Sequence, residues 1–199
     1  DRFPAELPEI VAGDIVLFGS FYSLTPEIRE PLKKFLGKAK SNGAFLVYDP
    51  NFRTPHLPEL ERVKPMIIEN IGLSTIVKGS DEDFRLIFGA NEFSTAYEAV
   101  KEAGCPNLIY TCGNMGVDAI LSAKFYHLDA KSIEPVSTIG AGDAFSAGVI
   151  YSLFNAAGYQ NLTDEHLLEK GIEFSAEVCL NLENYLSIPF VNRLLHKTL

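Results

Sequence analysis

The sequence predicts an α/β fold built on a mostly parallel sheet, and three observations carry that prediction. Short, largely apolar runs recur at Ile15-Val16-Leu17-Phe18, Phe45-Leu46-Val47-Tyr48, Thr75-Ile76-Val77 and Leu108-Ile109-Tyr110, continuous rather than alternating, as in strands covered on both faces. Longer stretches with helical spacing separate them: Pro26 to Ala39, Leu60 to Asn70, then Asp81 to Phe88 followed by Ser94 to Ala103. The resulting βαβα alternation places helices on the faces of the sheet and directs ligands to loops beyond the carboxyl ends of the strands.

After Leu108 to Thr111 the pattern changes. Val117 to Leu121 and Lys124 to Leu128 are separated only by Ser122-Ala123, which predicts an antiparallel hairpin at the edge of the sheet. The last third returns to helix, at Ala141 to Phe154 and Asp164 to Leu182, joined by the polar stretch Asn155 to Thr163. With 199 residues, the chain fits a single domain over 1–199.

Composition narrows the function. Hydrophobic residues at 47% and charged residues at 22% describe a chain that buries a core rather than a disordered one. A formal net charge of −9, with no basic block, argues against a nucleic-acid or anionic-membrane surface, which is bound through clustered Lys and Arg. Cys105, Cys112 and Cys179 have neither CxxC spacing nor an even count, so they read as reduced core thiols rather than a disulfide framework or a zinc site. No apolar run approaches the roughly 20 residues that cross a bilayer, and no leader pattern opens the chain, so a cytoplasmic location is expected. The Asn161-Leu162-Thr163 triplet matches a glycosylation pattern that matters only on a secretory route. His56, His127, His166 and His196 are scattered without metal-ligand spacing.

The segment Val136-Ser137-Thr138-Ile139-Gly140-Ala141-Gly142-Asp143-Ala144-Phe145-Ser146-Ala147-Gly148 carries the most chemical information. Gly140 and Gly142 flank an alanine immediately before a helix, so backbone N–H groups can converge there on an external anion. Fixed donors of this kind stabilise the charge that spreads over a phosphoryl group during transfer. Gly140, Ala141 and Gly142 are the candidate donors. Asp143, in the first helical turn, is the candidate general base for an attacking hydroxyl. Ala144, Ser146, Ala147 and Gly148 are small enough to bring the helix close to the sheet. For GxGD alone, a glycine turn followed by an acid that complements a helix dipole is the plainer alternative.

Thr138-Ile139-Gly140-Ala141-Gly142-Asp143-Ala144-Phe145 strongly resembles the C-terminal motif of the PfkB family of carbohydrate kinases, whose fold is ribokinase-like. The resemblance covers nearly the whole chain in order and spacing, through Asp49-Pro50-Asn51-Phe52-Arg53, Lys78 to Asp83 and Thr111 to Gly116. It implies a three-layer α/β/α architecture and ATP-dependent phosphorylation of a hydroxyl on a sugar or related small molecule, with ATP and Mg2+ as cofactors. Asp49 to Arg53 resembles the matching segment of fructokinases and related sugar-acid kinases, which puts fructokinase-like substrates first. The resemblance further implies that a region ahead of Asp1, bearing most sugar contacts and a small β lid, is missing. The chain is then the C-terminal, ATP-binding portion of a longer pattern, with a homodimer or association with that missing portion as the expected assembly. The alternative from another class is a noncatalytic nucleotide-binding or regulatory fragment of a PfkB-like protein. A dinucleotide oxidoreductase is disfavoured, because no GxGxxG follows an early strand.

The remaining motifs are read beside their plainer alternatives. Asn51 and Arg53 emerge where a buried strand ends, at the ligand-bearing edge. The resemblance places Arg53 near the transferred phosphate or the substrate; alone, it is equally a solvated arginine in a Pro-containing turn. Thr111-Cys112-Gly113-Asn114-Met115-Gly116 resembles the family's T-x-G-x-x-G loop, so Thr111, Gly113, Asn114 and Gly116 are expected to contact ATP phosphates, and the same residues suit a tight turn into the hairpin. Lys78-Gly79-Ser80-Asp81-Glu82-Asp83 occupies the place of the family's K-x-N-x-x-E motif. Ser80 replaces Asn and Asp83 replaces Glu, which keeps hard oxygen ligands but shortens the carboxylate's reach toward magnesium, expected through water. Ser80 ahead of Asp83 also resembles a helix N-cap with an acidic first turn. Ser137 stands where many members have Asp before Thr138, and Ala176 where many have an Asn contacting the nucleotide.

Overall fold

Continuous apolar runs become sheet where helices cover both faces, and four of them do so. β1 (Ile15–Gly19), β2 (Phe45–Asp49), β3 (Ile76–Ser80) and β4 (Leu108–Thr111) pair in parallel. β5 (Val117–Leu121) and β6 (Lys124–Leu128) complete a six-stranded sheet in the order β1-β2-β3-β4-β5-β6, with β5 and β6 as the expected antiparallel hairpin. The hairpin turns on two residues, Ser122 and Ala123, at φ 51° and 63°. Positive φ at both central positions is the turn whose twist matches the flanking strands. The computed structural model describes residues 3, 4, 6–155 and 163–196. Asn161 and Leu162 of the glycosylation triplet, most of the 155–163 link and the side chain of His196 lie outside them.

The central strands meet the prediction and β1 departs from it. Leu46, Val47, Tyr48, Ile76 and Val77 are fully buried, whereas Leu17 in the edge strand β1 is 47% exposed. β3 also runs further than its apolar residues, through Lys78 and Gly79 to Ser80. The buried Lys78 ammonium meets the Asp49 carboxylate at the end of β2, 2.9 Å away, so a charged residue continues the strand because its charge is answered by the neighbouring one.

The helices between the strands are α1 (Pro26–Ser41), α2 (Leu60–Leu73), α3 (Asp81–Phe88) and α4 (Phe93–Glu102). Pro26 at the start of α1 costs no hydrogen bond, since the first helical N–H groups have no intrahelical acceptor. Leu32, Leu36 and Ala39 of α1, and Val63, Ile67 and Ile71 of α2, recur at helical spacing and join the buried core with Leu46 and Tyr48. Arg29 ties the two helices together. Its guanidinium, buried with the side chain, reaches Asn70 Oδ1 at 2.5 Å and Glu69 Oε2 at 2.7 Å.

The chain divides into two compact units, Asp1–Cys112 with Asp118–Tyr126, and Gly113–Val117 with His127–Leu199. The second contains α5 (Ala141–Asn155), α6 (Asp164–Cys179) and α7 (Ile188–His196). Its core joins Ala144 of α5, Phe174 and Val178 of α6, and Phe190 and Leu194 of α7. α6 stops three residues before the predicted Leu182, where Asn181 Oδ1 accepts the Glu183 N–H at 2.9 Å and turns the chain. α7 was not anticipated, although its cap was legible: Ser187 Oγ accepts the Phe190 N–H at 3.3 Å. The small residues of α5 serve a close approach to α6 within this unit. A Cβ on Gly148 would lie 2.4 Å from the Lys170 carbonyl oxygen, and one on Gly171 would lie 2.6 Å from the Phe145 ring.

Two variants test these packing constraints. Gly148→Ala forces α5 and α6 apart and should lower stability by about 1–3 kcal/mol, read as a lower denaturant midpoint. Lys78→Met removes the ammonium facing Asp49 and should cost about 3–5 kcal/mol by the same measurement, the usual penalty for breaking one side of a buried pair.

Candidate active site

The turn before α5 is built as the glycine pattern requires. Gly140 sits at φ 82°, a region that disfavours side chains, and a Cβ there would meet Asn184 Cβ at 3.2 Å. The Ala144 N–H donates to the Gly140 carbonyl at 2.9 Å and opens the helix. The segment leading in is pinned to the end of α6, since the Val136 N–H donates to the Cys179 carbonyl at 2.8 Å. Ser137 Oγ accepts the Ile139 N–H at 3.2 Å and so shapes the same turn.

Asp143 lies in the first turn of α5 with its side chain exposed, as a base that meets an external hydroxyl must be. Gly142 is exposed beside it and Thr138 precedes it, also exposed, while Ala141 is half-buried. The Ala141 N–H donates back to the Thr138 carbonyl at 3.2 Å, and the Gly142 carbonyl accepts the Ser146 hydroxyl at 3.2 Å. Ala176 lies half-buried on α6, the helix that packs on α5. Asn184, against Gly140, carries no local sequence signal because it lies in an irregular stretch between helices.

The T-x-G-x-x-G segment forms a tight turn. Gly113 to Met115 make one 3-10 turn, closed by the Gly116 N–H on the Gly113 carbonyl at 3.2 Å, with Gly113 and Asn114 exposed. Gly116 is buried at φ 97°, and a Cβ would lie 2.1 Å from the Leu128 carbonyl oxygen. Thr111 ends β4 with its hydroxyl donating to the Gly79 carbonyl at 3.4 Å. Burial pushes the Cys112 thiol up to about 11, with the carboxylates of Asp118 and Asp81 adding to the shift.

At the carboxyl ends of β2 and β3, the structure joins two motifs that lie far apart in sequence. Asp83 Oδ1 accepts the Phe52 N–H at 2.6 Å, and Oδ2 accepts both the N–H and the hydroxyl of Ser80, each at 2.7 Å. Ser80 Oγ in turn accepts the Asp83 N–H at 3.2 Å, completing the capping box of α3. Burial raises the Asp83 carboxyl above its usual range despite the lowering by these hydrogen bonds. The loop that Asp83 holds carries Asn51 at φ 41°, whose N–H donates to Asp49 Oδ1 at 3.2 Å and whose Oδ1 accepts Arg53 Nε at 3.2 Å. Arg53 is exposed. Sequence reading found both motifs but not the Phe52 bond, which spans 31 residues and has no periodic signal.

Magnesium was expected at Asp83 through water. A carboxylate offers about four acceptor positions. Three are filled here by protein donors, in a residue that is 7% exposed, so the Ser80–Asp83 pair does not fit a magnesium holder. Among the described residues no group of three or more His, Cys, Asp or Glu is arranged to hold a metal ion. None of the described helices is long and apolar enough to cross a membrane.

This geometry has relatives. Residues 2–189 match the pfkB family of carbohydrate kinases, and the chain belongs to that family. It is 26% identical over 176 residues to the aminoimidazole riboside kinase of Salmonella typhimurium strain LT2, covering 88% of this chain and 54% of that protein. A fructokinase from Salmonella thompson is 29% identical over 149 residues, 74% of this chain and 67% of that protein. Fructokinase-2 of Solanum lycopersicum is 28% identical over 177 residues, covering 86% and 53%. The chain thus spans about half to two thirds of the length of these relatives.

Solved structures show the same ribokinase-like α/β fold. The aminoimidazole riboside kinase from Salmonella enterica, complexed with aminoimidazole riboside and an ATP analogue, superposes with a TM-score of 0.82 at 23% identity, over 97% of this chain and 65% of that one. Fructokinase from Vibrio cholerae O395, bound to fructose, ADP and calcium, gives 0.79 at 21% identity, over 89% and 58%.

The half-buried Cys112 thiol gives one direct check on the loop. With its pKa near 11, about a thousandth of it is thiolate at pH 8, so alkylation by iodoacetamide should be slow there and accelerate up to about pH 11. Rapid labelling of Cys112 at pH 8 in the folded protein would contradict the placement.

Proposed function

We propose that this chain carries the nucleotide-binding and phosphoryl-transfer portion of an ATP-dependent kinase acting on a hydroxyl of a sugar, with fructokinase-like substrates foremost. The carrying observation is the exposed Asp143 in the first turn of α5, directly after the left-handed Gly140 turn, in a chain of the carbohydrate-kinase family. Names of relatives supply the substrate class: fructokinases and an aminoimidazole riboside kinase act on sugars or ribosides. A cytoplasmic setting completes the reading, supported by three free cysteines among the described residues.

In this reading Asp143 accepts the proton of the sugar hydroxyl as its oxygen forms a bond to the γ-phosphorus of ATP. The bond from that phosphorus to the bridging oxygen breaks, ADP leaves with the electron pair, and the proton passes later from Asp143 to water. The helix start favours negative charge, and the Gly140, Ala141 and Gly142 turn is assigned to the developing anion. Gly113, Asn114 and Gly116, with Thr138 and Ala176, are assigned to the nucleotide. The family resemblance assigns Thr111 and Ser80 to the nucleotide as well, and Arg53 and Asn51 to the substrate or the transferred phosphate. Magnesium accompanies ATP in the family resemblance, and none of the roles assigned to these residues requires a protein ligand to it.

Asp143→Asn keeps the shape of the turn and removes the base. Turnover by the full polypeptide on a panel of sugars should fall by about 10²–10⁴-fold with ATP affinity nearly unchanged. A variant that keeps most of its activity removes Asp143 from this role. ATP binding without transfer to any sugar, in the unaltered protein, supports the noncatalytic nucleotide-binding alternative instead.

A further inference from the structure

We infer that Asp83 is a positioning residue that sets the pose of Asn51 and Arg53, and that it does not organise magnesium; this deepens the kinase reading and rests on it for its catalytic consequence. The acceptor count is the first ground. Both oxygens are engaged by protein donors at 2.6–2.7 Å, which leaves about one of four acceptor positions, on a side chain shielded from solvent. A residue that orders metal-bound water needs an accessible oxygen, and this one has spent its oxygens on two backbone amides and a hydroxyl.

The place of the Phe52 amide is the second ground. Phe52 lies between the two residues assigned to substrate, and its ring is buried at 2% exposure. Asn51 before it holds φ 41°, a conformation that costs an L-residue energy unless neighbours impose it. Two bonds impose it, Asn51 N–H to Asp49 Oδ1 and Phe52 N–H to Asp83 Oδ1. Asn51 then orients Arg53 through Nε, and Thr54 Oγ1 donates to Glu82 Oε1 at 3.1 Å to fix the far end of the loop. The start of α3 therefore grips the loop at two points, with Arg53 between them.

Side-chain length is the third ground. A glutamate, as in the family pattern, would carry its carboxylate about 1.5 Å further along the chain. At this position it would press on the Phe52 amide rather than receive it. The shorter Asp83 and the small Ser80 act as a matched pair: serine caps the helix and donates to the aspartate, and the aspartate keeps one oxygen for Phe52.

The test combines amide exchange with kinetics on the full polypeptide, using Asp83→Ala, Asp83→Asn and Arg53→Ala. Asp83→Ala should cut hydrogen-exchange protection of the Phe52 amide by at least about tenfold while the Ile76 and Leu108 amides keep theirs. Asp83→Asn retains an oxygen for the Phe52 N–H and should retain its protection, although its amide NH2 then faces the Ser80 N–H and weakens the cap of α3. If Asp83 acts through Arg53, the Asp83→Ala/Arg53→Ala double variant should match Arg53→Ala within about twofold in kcat/KM. The magnesium concentration giving half-maximal rate should likewise stay within about twofold of the unaltered protein in Asp83→Asn. Additive losses in the double variant, unaltered Phe52 protection in Asp83→Ala, or a raised magnesium requirement in Asp83→Asn would overturn the inference. A protein with no turnover on any sugar defeats the kinase reading, and the Phe52 exchange result then decides the role of Asp83 by itself.

Discussion

β2 and β3 are buried on both faces, and that burial governs what their carboxyl ends can hold. Polar groups there have no water to turn to, so each must be answered within the protein. Asp49 meets Lys78 across neighbouring strands, one step beyond the paired Tyr48 and Val77, and Asp83 meets Phe52 and Ser80 just past the end of β3. A buried ion pair is weak evidence of net stability, because desolvation offsets most of the attraction. Its firmer consequence is register. A slip of one residue between β2 and β3 would separate Asp49 from Lys78 and strand two charges in the sheet.

The two compact units solve the problem of rigidity differently. In the first, a polar lattice holds the helices and loops: Arg29 reaches across from α1 to Asn70 and Glu69, and the β2 loop is fixed by carboxylates of α3. In the second, close contact does the same work. Gly148 and Gly171 let α5 and α6 approach until backbone and ring leave no room for a Cβ, and aromatic contacts of Phe174 with Tyr151 and Phe190 fill the remainder. The Gly140 turn is thus mounted on a helix with little freedom to shift, as the anion-binding role proposed for it requires.

Much of this was legible in the sequence because the signals are local. Strand runs, helical spacing, the Ser122-Ala123 hairpin and the Gly140–Asp143 turn each depend on neighbours within a few residues, and the structure places them with small shifts at their ends. Where reading failed, local preference met a tertiary or side-chain competitor. The apolar run of β3 ends at Val77, and the strand continues through Lys78 to Ser80 because Asp49 supplies the opposite charge. Helical spacing predicts α6 to Leu182 but the Asn181 turn follows Cys179, and α7 begins after a Ser187 cap in a stretch without a predicted helix. β1 reads as a covered strand and lies instead at a sheet edge, with Leu17 half in solvent.

The amino-acid order by itself determined the α/β class, the family and the candidate anion turn with its carboxylate, since these rest on periodicity and on contiguous residue types. Tertiary structure alone decided which groups meet the acidic residue at position 83, because its partner at Phe52 stands 31 positions away and a backbone N–H has no residue identity to read. A motif names the chemical groups that are present. Only the fold, by bringing a donor within 2.6 Å of a shielded carboxylate, determines which of the tasks open to that carboxylate it is still free to perform.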